Sequence, residues 1–220
     1  MVSLFRLAAL VVVALAAMPA WSQSPAPAGE FDYYLLTLSW SPEFCASHAA
    51  DPSAQEECSQ RRGLVVHGLW PQNQDGGWRA FCRPVSTVPV ALAKRELAVM
   101  PNVDLIEHEW TKHGSCTTYS APQYFDALNH AFAAIHVPES LTHPATPIVL
   151  PLAEAKQQWA TANPCLDPNM ISFQCSHAAA HRNEVQEIRI CLDKGLGLRP
   201  CGAGQVDICP AEVKFVPASP

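Results

Sequence analysis

The chain has 220 residues, a formal charge of −6 at pH 7 and nine cysteines. A negative balance with no basic run beyond Arg61-Arg62 and Lys94-Arg95 argues against a surface that coats polyanions by charge alone. The length suits one domain with a full core, and no internal repeat, mid-chain linker or second hydrophobic span divides it.

At the start, Arg6 precedes the apolar stretch Leu7 to Ala17, followed by Pro19, Ala20, Trp21 and Ser22. This is the pattern of a secretory signal, with cleavage expected after Ser22 and Ala20 as the alternative. An apolar core of about a dozen residues is too short to span a bilayer, and no cysteine follows it as a lipid attachment site. Residues 1–22 are therefore expected to be a signal peptide and 23–30, rich in Ala and Pro, a disordered leader. Residues 31–212 are expected to form the domain and 213–220 a C-terminal tail. Loss of Arg6 with the signal takes the charge from −6 to −7.

Within the domain, period-2 and β-branched runs predict strands at Tyr33 to Trp40, Leu64 to His67, Met170 to Cys175 and Val185 to Leu192. Helices are predicted at Pro89 to Ala98, Asp104 to His113, Gln123 to Ile135 and Leu152 to Ala162. Strands without regular βαβ alternation indicate an α+β fold.

Two short segments concentrate acid/base groups: His67-Gly68-Leu69-Trp70-Pro71 and His108-Glu109-Trp110-Thr111-Lys112-His113. The second falls on the predicted helix, with Asp104 as N-cap, Glu107 completing a capping box and Gly114 as the C′ stop. At roughly 100° per residue, His108, Glu109, Lys112 and His113 lie within about 140° of arc. A solvated face is the ordinary meaning of such a run, but Ile106, Trp110 and Cys116 nearby indicate a half-buried helix. His113 at the helix end is expected to have a raised pKa unless burial opposes it. His67 follows an apolar strand that ends at the Gly68 turn, where it can face a helix.

Zinc is the chief rival explanation. A metalloprotease helix sets two histidines four residues apart, whereas here the spacing is five, about 140° around the helix. Lys112 beside them would repel a dication, so no metal or other cofactor is expected. Cys165, in the proline-bracketed Asn163-Pro164-Cys165-Leu166-Asp167-Pro168, has no adjacent base and reads as an incidental thiol. His48, His130, His136, His143, His177 and His181 are scattered and receive no role.

The two blocks, the second extended by Gly114-Ser115-Cys116, resemble the two signature segments of the ribonuclease T2 family. Tyr34 to Cys45 is similar to that family's first strand and Glu187 to Asp193 to its late strand, so the likeness runs from about Phe31 to Cys209. It implies a central antiparallel sheet flanked by helices. It also implies cleavage of single-stranded RNA through a 2′,3′-cyclic phosphate, with His113 as general base and His67 as general acid; the alternative is a catalytically inactive ribonuclease-like binding protein, which the loss of either histidine would favour. Glu109 and Lys112 match the residues that stabilise the pentavalent phosphorane, and His108 matches a phosphate-binding histidine. The attacking group is then the 2′-hydroxyl, so DNA is expected to resist cleavage. Trp70, and beyond it Trp78 and Phe81, are candidates to stack on bases. Gln72 stands where some family members carry an acidic residue linked to base preference.

All nine cysteines follow the signal, which fits an exported protein, periplasmic or secreted. Nine is odd, so at least one thiol is unpaired, and spacing alone leaves the connectivity open. The resemblance implies Cys45–Cys58, Cys82–Cys116, Cys175–Cys209 and Cys191–Cys201, with Cys165 free. The implied partner is RNA, with no DNA and no membrane, and the protein is expected to be a monomer.

Overall fold

The computed structural model describes residues 27–142 and 144–217. The expected signal segment, the first residues of the leader and the last three of the tail lie outside them.

The element order is β1 (Tyr33–Trp40), α1 (Ser41–Ser47), α2 (Gln55–Cys58), β2 (Leu64–Gln72), α3 (Val90–Glu96), α4 (Val103–Lys112), α5 (Ala121–Ala133), β3 (Ile148–Pro151), α6 (Leu152–Ala162), β4 (Ile171–Cys175), β5 (Val185–Leu192) and β6 (Glu212–Phe215), with short 3₁₀ turns between. Four strands form an antiparallel sheet in the order β2-β1-β5-β4, and β3 pairs antiparallel with β6. The fold is thus α+β, a central antiparallel sheet flanked by helices. β1 is buried along almost its whole length, as its near-continuous apolar run requires of a central strand. On α5, Tyr124, Phe125 and Leu128 are buried in the main core, and the Tyr124 hydroxyl donates to Leu69 O at 3.0 Å, fastening that helix to β2.

The β1/β2 register positions the site. Thr37 pairs with Gly68 and Leu38 with Val66, so His67 is the extra residue of a bulge. It therefore lies inside a nine-residue strand, not at the end of a short one. A bulge re-aims the side chain it carries without ending the strand.

Helix α4 also begins differently from expectation. Asn102, not Asp104, is the N-cap, with Oδ1 accepting from Leu105 N at 2.8 Å. Glu107 is no capping partner, because its carboxylate accepts from Val88 N. Gly114 does not stop the helix in a left-handed conformation; α4 passes into a 3₁₀ turn, Gly114–Cys116. Glycine is needed there because a Cβ would overlap the Trp110 ring.

Both ends of the domain reach further than expected. Gly29 N donates to Cys116 O at 2.8 Å, and Lys194 Nζ donates to Gly29 O at 3.2 Å, so the last leader residues are docked. Residues 213–217 are no tail: Val213 and Phe215 are fully buried on β6. The Phe215 ring meets Trp40 edge-on at 5.4 Å. We expect Phe215→Ala to cost about 3–5 kcal/mol, the usual range for truncating a buried phenylalanine. Urea denaturation measures it, and an unchanged midpoint would place Phe215 outside the cooperative core.

The four disulfides are Cys45–Cys58, Cys82–Cys116, Cys175–Cys209 and Cys191–Cys201, and Cys165 is a free, exposed thiol. Cys82–Cys116 ties the loop after β2 to the turn that ends α4. It therefore keeps the two signature segments in register.

Candidate active site

Four of the residues singled out in the sequence, His67, Trp70, Glu109 and His113, converge where the bulge of β2 faces the end of α4. Trp70 is the hub. Its ring stacks on His113 (centroids 5.0 Å apart, 20° between planes) and meets His67 edge-on at 5.0 Å. Its Nε1 donates to Glu109 Oε2 at 2.7 Å, and Arg189 Cζ lies 5.3 Å from its centroid. Trp70 is thus committed to holding the other groups in place as well as lining the cleft. Gly68 makes room for this: a Cβ there would fall within the Glu109 carboxylate.

On α4, Glu109 and His113 are buried while His108 is exposed and Lys112 half-buried. The four-residue arc therefore divides. Its inner pair turns to the sheet and its outer pair to the solvent rim. A cleft of about 270 Å³ is lined by Trp70, Gln72, Trp78, Lys112, His113, Arg189 and Gln205, among others. Gln72 is buried and Trp78 is 54% exposed. Phe81 is also exposed, tethered through its N–H to Lys112 O at 2.8 Å. A larger hollow of about 520 Å³ beside Cys45–Cys58 contains Ser41, Glu57, Arg61 and Arg62 but none of the predicted site residues. Among the described residues, no three His, Cys, Asp or Glu side chains are grouped as a metal ligand set.

Sequence reasoning missed three polar residues on the neighbouring strands. Glu187 Oε1 lies 3.0 Å from His67 Nδ1, and Ser39 Oγ 3.1 Å from the same atom. Arg189 grips Glu187 Oε2 through Nε at 2.9 Å and Nη2 at 2.6 Å. A signal was present: Glu187 and Arg189 alternate with Ile188 and Ile190, so β5 has one polar face. Only the strand order shows that this face meets His67.

The ionisable groups are pushed apart. Burial works against charging His67, but the hydrogen bond it donates to Glu187 and the charges of Glu109 and Glu187 outweigh it, raising the pKa above the ordinary imidazole value. His113 moves the other way. Burial, then the positive Lys112, His67 and His108, push it down to about 2. This reverses the expected effect of the helix end. The ring is 2% exposed and neither nitrogen has a close hydrogen-bond partner, so desolvation exceeds both the helix-terminus attraction and the weak opposing pull of the Arg79 backbone. Burial raises Glu109 to about 7, against His67, Trp70 and Lys112. Partial burial, with Lys112 and His67, lowers His108.

Two imidazoles of opposed proton affinity and a neutral-prone carboxyl gathered about Trp70, with an ammonium on the adjoining cleft, are an arrangement able to support general acid–base chemistry. The ribonuclease T2 family profile matches residues 31–201, and the chain belongs to that family. It is similar to a ribonuclease of Aeromonas hydrophila, 44% identical over 98 residues, which are 44% of this chain and 43% of that protein. It is also similar to a probable ribonuclease of Haemophilus influenzae, 41% identical over 122 residues, which are 49% of this chain and 44% of that protein. The chain thus spans less than half the length of these two relatives. Among solved structures, the RNase-related protein from Calystegia sepium matches with a TM-score of 0.67 at 22% identity, covering 86% of this chain and 98% of that one. That likeness shows the fold.

Proposed function

We propose that the protein is an endoribonuclease that cleaves single-stranded RNA by metal-independent transesterification, leaving 2′,3′-cyclic phosphate ends. The observation that carries this reading is the convergence of His67, His113 and Glu109 on one tryptophan, with Lys112 beside them on the cleft. In-line displacement at phosphorus needs a proton acceptor at the 2′-hydroxyl and a donor at the departing 5′-oxygen. His113 is neutral in mildly acid and neutral solution and serves as the acceptor. A phosphodiester entering the cleft brings it the anionic partner it lacks, strengthening it as a base. His67, held as imidazolium, serves as the donor. Lys112 and His108 meet charge on the non-bridging oxygens. Glu109 joins them while protonated, donating a hydrogen bond to the phosphorane, and opposes them once ionised. Trp78 stacks on a base, Trp70 bounds the same subsite and Gln72 lies at its floor.

The pH profile follows from these shifts. Cleavage stays high in mild acid, falls as pH rises through about 7, where Glu109 gains its charge, and falls further once His67, its pKa raised by its carboxylate neighbours, loses its own. A kcat/KM profile from pH 4 to 9 checks this; a rate that keeps rising above pH 8 would contradict it.

We also propose that residues 1–22 direct export, to the periplasm or beyond, and that the protein works as a monomer without DNA, membrane or cofactor as partner. Four disulfides support an oxidising destination. No helix of the described residues is long and apolar enough to cross a membrane. The test of the activity is an oligodeoxynucleotide carrying one ribonucleotide. Cleavage is expected only on the 3′ side of that ribose, and cleavage elsewhere would exclude the 2′-hydroxyl as nucleophile.

A further inference from the structure

Resting on that reading, we propose that Glu187 is the positioning residue for His67: it accepts the Nδ1–H, so that the imidazole presents its other proton, on Nε2, to the cleft. The contact spans three strands. His67, in the bulge of β2, reaches across β1 at Ser39, whose paired residue on β5 is Glu187. Oε1 of Glu187 is 3.0 Å from Nδ1. A serine on the intervening strand is short enough to leave this passage open, and its hydroxyl lies beside the same nitrogen.

The carboxylate is itself held. Arg189 donates to its second oxygen from both Nε and Nη2, leaving Oε1 for the imidazole. Arg189 then lies against Trp70, Trp70 donates to Glu109, and Glu109 Oε1 returns to within 3.6 Å of His67 Nε2. The circuit fixes both nitrogens of His67: Nδ1 toward Glu187, and Nε2 toward the Glu109 side of the site, where it is free to donate. With Arg189 and His67 beside it, Glu187 stays ionised, its own carboxyl pushed down to about 2 although burial alone would raise it. It therefore does not take the proton. The proton leaves His67 from Nε2, and Glu187 decides which nitrogen donates and keeps the ring charged until it does.

Other charges also face His67: Glu109, Lys112, His108 and His113 from α4, and Glu57 from α2. Glu187 differs from all of these in combining ionisation with a hydrogen bond to the ring. Removing its charge has a predictable sign. The imidazolium loses its partner, its pKa falls, and the pH range in which it donates contracts from the alkaline side.

The test is NMR titration of ¹³Cε1-labelled histidines in the full chain, with the His67 signal assigned by its loss in His67→Ala, beside kcat/KM profiles on an oligoribonucleotide. In the wild type, His67 is expected to titrate above its ordinary value of about 6.5. In Glu187→Gln the titration and the alkaline limb move down together by about one pH unit or more, a loss of about tenfold in rate on that limb. Glu187→Asp recovers part of the shift. A folded Glu187→Gln protein whose His67 titration and alkaline limb match the wild type would overturn the role of Glu187 alone. If that variant does not fold, a wild-type His67 titrating at or below about 6.5 overturns it equally. A wild type that titrates as expected but cleaves no RNA would instead overturn the ribonuclease reading, and with it the catalytic purpose of the pair.

Discussion

Alanine at His67 or at His113 is expected to lower kcat for RNA cleavage by about 10²- to 10⁴-fold, the usual share of a general acid or base. The folds of both variants should survive. His67 is 28% exposed in its side chain, and the buried ring of His113 makes no hydrogen bond whose loss would leave a partner stranded. The two losses should not multiply, because both residues act on one displacement, so the double variant should be little worse than the poorer single one. Their roles separate when the leaving group is changed. A nucleoside 3′-(4-nitrophenyl phosphate) expels a weakly basic phenolate that needs no proton, so His67→Ala recovers most of its rate on it. His113→Ala stays slow, since the 2′-hydroxyl must still lose its proton. Recovery of the His113 variant instead would exchange the two assignments.

Gly68→Ala is expected to damage the site almost as severely without touching any reacting group. The added methyl would overlap Glu109 Oε2 and lie 2.6 Å from Trp70 Nε1. Glu109 is fully buried and cannot swing into solvent. Either the Trp70–Glu109 hydrogen bond breaks or β2 shifts, carrying the adjacent His67 with it. Overpacking of this kind costs about 1–3 kcal/mol in stability, and displacing Trp70 and Glu109 together should lower kcat about 100-fold, the scale of a misplaced catalytic constellation. A double-mutant cycle with Glu109→Ala gives the decisive signature. With the carboxylate gone, the closest overlap is removed and Trp70 can shift into the vacated space, so the stability penalty of Gly68→Ala should fall well below its value in the wild-type background. Additive penalties would mean that the strain lies in the strand backbone.

These outcomes depend on features of unequal legibility in the sequence. The bounds of β1 and β5 are readable because the first is a near-continuous apolar run and the second alternates polar with apolar residues, and the face of α4 is readable because helical periodicity alone aligns Glu109 with His113 and His108 with Lys112. The helix start was misread because Asp104 and Asn102 are both good caps, and the choice went to Asn102, whose side chain meets Leu105 N. Glu107 was already engaged by Val88. The bulge that carries His67 could not be inferred from β2 alone, since it is a property of pairing with β1. Glu187 was hidden for a similar reason: its partner is 120 positions away across an intervening strand, and only the order β2-β1-β5 brings them together. Phe215, placed in a tail, closes the core because β6 pairs with the short, weakly patterned β3. The direction of the His113 shift required knowing that its ring is sealed, which no helix-end argument contains. The resemblance to the ribonuclease T2 family supplied the disulfide pairing, which spacing left open.

His113 is expected to take a proton from the ribose hydroxyl and His67 to give one to the departing 5′-oxygen, with no metal taking part. The most direct measurement is mass spectrometry of the ends produced when the mature protein digests a defined oligoribonucleotide in excess EDTA at mildly acid pH. Accumulation of 2′,3′-cyclic phosphate and 5′-hydroxyl ends, lost in His67→Ala and in His113→Ala, is the predicted result. Cleavage that stops in EDTA and returns with added zinc, or ends carrying a 5′-phosphate, would contradict it.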